Sequence, residues 1–329
     1  MKRFIDDKGI FEIKVPITWK YSLEDGKVHT FHEYEIWKAD AFQISIIQVK
    51  DETVKNKFIH LTKSLPISKI GEVDYFSYPD HVNDDCTIKS WTRLLNDKIV
   101  LFTLTHSNNP DTDLDNKTVD EKLQIVYSII KEFRLIEESE KFTKITFYRF
   151  NMFVQGVGAT ALILDKAVEN KAFIEATCIR ASQIDALLRI GIVLESQILN
   201  SNDKIELEWI YQGLTDKKKS EKDIYRKAKD LGIIDDVIFD ELYKLYDERN
   251  KVIHRFIISE ITLAEVEEIA YNYYTAAEKI RKIIHNIESE QVRLNIGMTR
   301  SSNENEKVNL LDYTKSKIGK LKYFEEKKK

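Results

Sequence analysis

The residues best suited to chemistry are Arg249, Asn250 and His254, in the run Asp247-Glu248-Arg249-Asn250-Lys251-Val252-Ile253-His254-Arg255-Phe256. A guanidinium is permanently charged and its planar fork matches phosphate oxygens, while an imidazole exchanges a proton near neutral pH. Asn250 is placed to orient either one. Together they suit attack of a ribose 2′-hydroxyl on the neighbouring phosphodiester, which needs positioning, proton movement and charge stabilisation, and no metal.

The run continues a helical pattern in which Val237, Ile238, Leu242, Leu245 and Tyr246 recur three and four residues apart. On a straight helix, five residues at about 100° each leave Arg249 and His254 about 140° apart. The two converge only if the helix ends or distorts there, or if a second chain completes the site. The competing reading is a surface arginine and a capped or packed histidine near a helix C-terminus, where the helix dipole favours a cation.

The pattern Arg249-Asn250-x3-His254 between long helices, with Arg180-x2-Gln183-Ile184-Asp185-x-Leu187-Leu188-Arg189 on the leading helix, resembles the HEPN superfamily over roughly residues 150 to 292. The resemblance implies an all-helical and usually dimeric domain. Many members are metal-independent endoribonucleases of toxin–antitoxin, abortive-infection and CRISPR systems. By the same resemblance Arg249, Asn250 and His254 take the catalytic places, and two copies meet across a dimer in one cleft. It implies RNA as substrate, a homodimer, and an antitoxin or regulatory protein as partner, with no metal and no cofactor. In those HEPN toxins that a nucleotidyltransferase silences, a tyrosine two positions after the histidine receives nucleotide; this chain has Phe256 there, with no hydroxyl to modify. Some HEPN domains are inactive scaffolds, so the alternative is a non-catalytic dimer that binds nucleotide, RNA or a partner protein.

Candidate RNA contacts are Arg180, Lys251, Arg255, Lys217 and Lys218. The last two belong to Lys217-Lys218-Lys219, followed by Ser220-x2-Asp223 as a helix start and by Arg226, Lys227 and Lys229. Such a loop suits an RNA backbone, with affinity that falls as salt rises, and it equally suits a solvated surface. Arg180 and Asp185 either line the cleft or are salt-bridged helix positions.

Elements must place these groups, and composition limits what those elements are. The net charge of −4 excludes a wholly basic coat for nucleic acid, so any RNA contact is a local patch. No run of about 18 apolar residues is present, which predicts no membrane span. Acidic residues stand where a signal peptide would be apolar, and Cys86 and Cys178 fall in different expected domains; both facts fit a reducing cytoplasm. Pro16, Pro66, Pro79 and Pro110 are the only prolines. Because proline is excluded from helix interiors, this predicts a mixed first domain and a helical second one, with the boundary near residues 138 to 150.

The expected architecture is therefore an α+β domain with an antiparallel sheet (1–140), then an all-α HEPN-like bundle (150–292), then a linker and a Lys-rich flexible tail (298–329). In the first domain Ile10 to Ile17, Ala41 to Val49, and a hairpin of Cys86–Leu95 with Lys98–His106 read as strands, and 52–64 as a helix. A further helix starts at the capping box Thr118-x2-Glu121 and buries Leu123, Val126, Tyr127, Ile130 and Phe133. Phe11-Glu12-Ile13-x-Val15-Pro16-x2-Trp19, with a closing helix ending at Phe133, is similar to the Mog1/PsbP-like fold. This domain reads as a sensing or binding module. His29 and His32 should point to opposite faces of a strand, and His81-x2-Asp84-Asp85-Cys86 lacks a second cluster at metal spacing.

In the second domain helices are expected over Val154–Asn170, over 171–199, from Ser220 to Leu231, through the Arg249 run, and from the capping box Thr262-x2-Glu265. Gly191, inside the second of these, predicts close approach of another helix. The last helix carries Val266, Ile269, Tyr273, Ala277, Ile280, Ile284 and Ile287 on one stripe, with Tyr271 and Tyr274 beside it.

Overall fold

A computed structural model describes residues 1–33, 40–108, 118–211 and 219–299. The chain divides into two compact units between Lys141 and Phe142.

The first unit is α+β. Its strands and helices are β1 (Lys2–Ile5), β2 (Phe11–Val15), β3 (Lys20–Glu24), β4 (Val28–His32), β5 (Ala41–Gln48), α1 (Glu52–Thr62), β6 (Ile67–Ile70), β7 (Val73–Ser77), β8 (His81–Val82), β9 (Cys86–Leu95), β10 (Lys98–Ser107), α2 (Val119–Lys131) and β11 (Arg134–Leu135). All strand pairs are antiparallel. The large sheet runs β3-β4-β5-β10-β9-β7-β6 with β8 beside β9, and a small sheet runs β1-β2-β11.

Alternation decides which face is buried. Phe42 and Ile44 of β5 and Val100, Phe102 and Leu104 of β10 point into the core, where Val126, Ile129, Ile130 and Phe133 of the α2 region meet them. The β9–β10 hairpin turns at Asn96 and Asp97, and Asn96 takes φ 55°, as a two-residue turn requires. The Thr118–Glu121 capping box is formed. The short strands β1, β3, β4, β6, β7 and β8 were not marked by the sequence pattern. They are four or five residues long or less, too short for alternation to stand out.

His29 is a core residue. Its ring meets Phe11 edge-on at 4.8 Å, and its Nδ1 lies 3.1 Å from the Tyr21 hydroxyl. The strand register places His29 opposite Ile44 and His32 opposite Ala41, on opposite sheet faces. Burial pulls His29 below its ordinary value, with Asp6 and Asp7 opposing and Lys8 assisting. The unfolded chain therefore takes the proton first. This contribution is intact above about pH 6.5 and is lost as pH falls below it. Urea melts from pH 7.5 to 5.0, followed by Trp19 and Trp91 fluorescence, should show stability falling, with a shallower slope in His29→Gln. An unchanged slope in the variant would remove His29 as the cause.

The second unit is helical: α3 (Glu138–Glu169, whose first turn lies in the first unit), α4 (Phe173–Leu199), α5 (Leu207–Ile210), α6 (Glu221–Asp230), α7 (Asp236–Arg255) and α8 (Leu263–Leu294). α3 starts well before the expected Val154. Thr146 and Phe150 are buried on its first half, but exposed Phe142 and Phe147 blur the stripe there. α4 and α8 run parallel in close contact. A Cβ on Gly191 would lie 2.5 Å from Ile284 Cδ1, which explains the small residue in a helix interior. Capping boxes start α6 at Ser220 and α8 at Thr262.

Two details differ from the sequence reading. Val237 is exposed rather than part of the α7 stripe. The helical unit also continues past residue 297: Met298 packs on the core and the Thr299 hydroxyl bonds Gln291. The rest of the expected tail, 300–329, lies outside the described residues. Among those described, no helix is long and apolar enough to cross a membrane.

Candidate active site at the α6–α7 contact

α7 starts at Asp235, whose side chain accepts from the Ile238 amide at 2.8 Å, and the helix continues unbroken through Arg255. Its buried stripe is Leu242, Leu245 and Val252. Arg249 stands four residues after Leu245 and three before Val252, so the helix carries a guanidinium on its inward face. A charge so placed requires a partner.

The partner comes from the first turn of α6. Arg249 Nη1 donates to Glu221 Oε2 at 2.5 Å, and Nη2 donates to Asn250 Oδ1 at 3.2 Å. The guanidinium carbon sits 4.8 Å above the Tyr246 ring. Glu221 is held in turn: its Oε1 accepts from the hydroxyl of fully buried Tyr225 at 2.6 Å. Burial pulls the Arg249 guanidinium down, but the hydrogen bond and charge of Glu221 outweigh it and leave Arg249 above its ordinary value. Burial raises Tyr225 and Tyr273, as it does the nearby Cys178 thiol. Tyr273 Oη donates to the Leu245 carbonyl at 2.8 Å, tying α8 to the same stretch of α7.

His254 lies elsewhere on the helix. It is exposed and makes no hydrogen bond or ion pair with the described residues. Since α7 runs unbroken through both, Arg249 and His254 of one chain keep the angular separation of helical positions five apart, with Asn250 one turn before His254. A site that uses both from one chain is therefore not assembled. Exposed apolar residues occur near the histidine in the chain, among exposed Lys251 and Arg255: Ile253, Ile257 at 94% exposure, Ile258 at 80%, and Leu263 at the start of α8.

The other sequence candidates scatter. Lys251 and Arg255 are exposed on α7. Arg180 turns to α8 and its own helix, 5.0 Å over Tyr274 with Nη1 donating to Gln183, and its charged neighbours are Glu278 and Asp165. It does not join Arg249. Asp185 accepts from Arg189 Nε at 2.6 Å, and burial raises its carboxyl. Arg189 also donates to the Trp209 carbonyl, so this pair ties α4 to α5. Lys217 and Lys218 lie outside the described residues. Lys219 of the same run is paired with Glu208 and lies on the Trp209 ring, while Arg226 and Lys229 pair with Asp223 and Asp236. These cations are engaged with neighbours of their own unit.

Glu221 and Tyr225 were not among the sequence candidates. The signal for them was indirect: an arginine on the 245–252 stripe demands a carboxylate, and the sequence does not say which. No group of three His, Cys, Asp or Glu side chains able to hold a metal occurs among the described residues.

No family model and no curated protein matches this chain. A crystal structure from Bacteroides thetaiotaomicron is similar at 13% identity and a TM-score of 0.33, covering 56% of this chain and 76% of its own. The solution structure of cyanobacterial PsbP (CyanoP) from Synechocystis is similar at 14% identity and a TM-score of 0.27, covering 41% of this chain and 92% of its own. At these scores neither is a basis for equating folds.

Proposed function

We propose that the helical unit is a metal-independent endoribonuclease of the HEPN type, working as a homodimer. Arg249 holds the scissile phosphate, Asn250 orients Arg249, and His254 moves the proton. The 2′-hydroxyl loses its proton to an imidazole and its oxygen bonds phosphorus. The bond from phosphorus to the 5′-oxygen breaks and that oxygen takes up a proton, leaving a 2′,3′-cyclic phosphate and a 5′-hydroxyl. A role in phage defence or as a toxin with an antitoxin partner belongs to the same proposal.

The observation that carries it is the contrast along α7. Arg249 is fixed by Asn250, Glu221 and Tyr246, while His254 stands exposed. A guanidinium held in one orientation and an unengaged imidazole are what such a transfer uses. The apolar rim of Ile253, Ile257, Ile258 and Leu263 fits a second copy, which would bring one chain's His254 towards the other's Arg249.

A second reading has its own support. The Glu221 carboxylate sits on the guanidinium, so a phosphate approaching Arg249 meets a carboxylate as well as a cation. That favours the non-catalytic dimer that binds a partner. For the first unit we propose a sensing or binding role on a Mog1/PsbP-like fold. The quoted residues support it by sharing one core, with Phe11 stacked on Phe133 at 5.6 Å and Trp19 packed on the same cluster.

The test is cleavage of total and transfer RNA in EDTA, with the oligomeric state measured and the product ends identified. Fragments ending in 2′,3′-cyclic phosphate are expected from a dimer. Products with 3′-hydroxyl ends would exclude this chemistry.

A further inference from the structure

We infer that Glu221 is the positioning residue of Arg249, acting through the guanidinium rather than on substrate; the inference rests on the ribonuclease reading. Both oxygens of its carboxylate are committed, one to Arg249 Nη1 and the other to the Tyr225 hydroxyl. Tyr225 lies one turn further along α6 and is itself fully buried, so the carboxylate cannot swing. With Asn250 on Nη2 and the Tyr246 ring against its face, the plane of the guanidinium is fixed on three sides. Each terminal nitrogen keeps a second hydrogen for a phosphate oxygen.

The pair is not the most stabilising way to fill this position. Buried ion pairs replaced by apolar side chains of similar volume are often as stable or more so. Glu221 also repels an incoming phosphate, so it opposes substrate binding. A residue that costs affinity and adds no special stability has its use in orientation, where small displacements of a charge-stabilising group cost much of the rate.

This gives a signature. Glu221→Gln keeps the shape and removes the charge that holds the guanidinium. We expect kcat to fall at least about tenfold while KM stays level or drops. Tyr225→Phe, which frees the carboxylate, should move kcat the same way by less. Thermal midpoints and size-exclusion profiles establish that both variants remain folded. A kcat at or above the parent's in Glu221→Gln would overturn the inference, and a raised one would make Glu221 a restraint instead.

Arg249→Lys separates the two claims. If it cuts like the parent, the ribonuclease reading fails; if it is inactive while Glu221→Gln keeps parental kcat, only the positioning role fails. A readout without turnover is phenylglyoxal labelling of Arg249, followed by peptide mass. Labelling several-fold faster in Glu221→Gln and in Tyr225→Phe is expected, and equal rates would overturn the inference even for a protein that cuts nothing.

Discussion

His254→Ala is expected to cleave RNA about 10²- to 10⁴-fold more slowly than the parent, with and without EDTA, because it removes the group that moves the proton. The side chain is exposed and unengaged, so its loss should change stability by no more than about 0.5 kcal/mol. The effect on turnover is therefore separable from folding. Arg249 is different. Truncation to alanine would leave the Glu221 carboxylate, 15% exposed, without its cation and with only the Tyr225 hydroxyl, a cost on the order of 3–5 kcal/mol for a buried pair. Arg249→Lys is the better variant: it keeps a cation for Glu221 and loses the planar fork, and we expect at least a tenfold loss of rate with a near-parental melt. The unbroken α7 adds a stricter test. If Arg249 of one chain works with His254 of the other, mixing Arg249→Lys and His254→Ala chains should restore about a quarter of parental activity, since half the dimers are mixed and each regains one site. Parental cutting by His254→Ala would remove this stretch as the active site.

What was legible in the sequence was local. The boxes at Thr118–Glu121 and Thr262–Glu265 and the start at Ser220–Asp223 each concern residues three apart, and all three cap the helices they announce. Gly191 was legible because a glycine inside a strong helical stripe has few other reasons to be there, and Ile284 supplies the reason. What was not legible was long-range. Glu221 reads as one more charge in a polar run, and its partner lies 28 residues away in sequence. Arg249 itself could have been placed on the buried face from Leu245 and Val252, since that spacing is in the sequence. The separation of Arg249 from His254 was also computable, but whether the helix would end between them was not; it continues to Arg255. The expected linker, Ser301 to Glu306, lies outside the described residues; what composition did not mark is that Met298 and Thr299, just after Gly297, still pack on the helical unit.

Gly297 carries a stability prediction of its own. Gly297 has φ +79°, follows α8 and its αL-capping Asn295, and donates its amide to Asp203 Oδ1 at 2.8 Å. The next residues lie against Gln291, which is 0% exposed. Gln291 Nε2 donates to the Leu194 carbonyl at 2.8 Å and to Gln197 Oε1 at 2.9 Å, while its Oε1 accepts from the Thr299 hydroxyl at 2.8 Å. A Cβ on Gly297 would overlap that amide. The amide cannot step aside, because each of its bonds is buried and a broken one leaves an unpaired group costing about 1–3 kcal/mol. The left-handed backbone adds about 1–2 kcal/mol for any residue with a Cβ. Gly297→Ala should therefore lower the stability of the helical unit by about 2–5 kcal/mol in urea melts. Gly232, at the end of α6 with φ +74°, is the control: a Cβ there meets nothing within 4 Å, so Gly232→Ala should lose only the backbone part, about 1 kcal/mol. Equal losses in the two variants would mean that the chain beyond α8 does not pack on Gln291. A loss at Gly297 several-fold larger would establish residues 297–299 as part of the fold that holds α4 against α8.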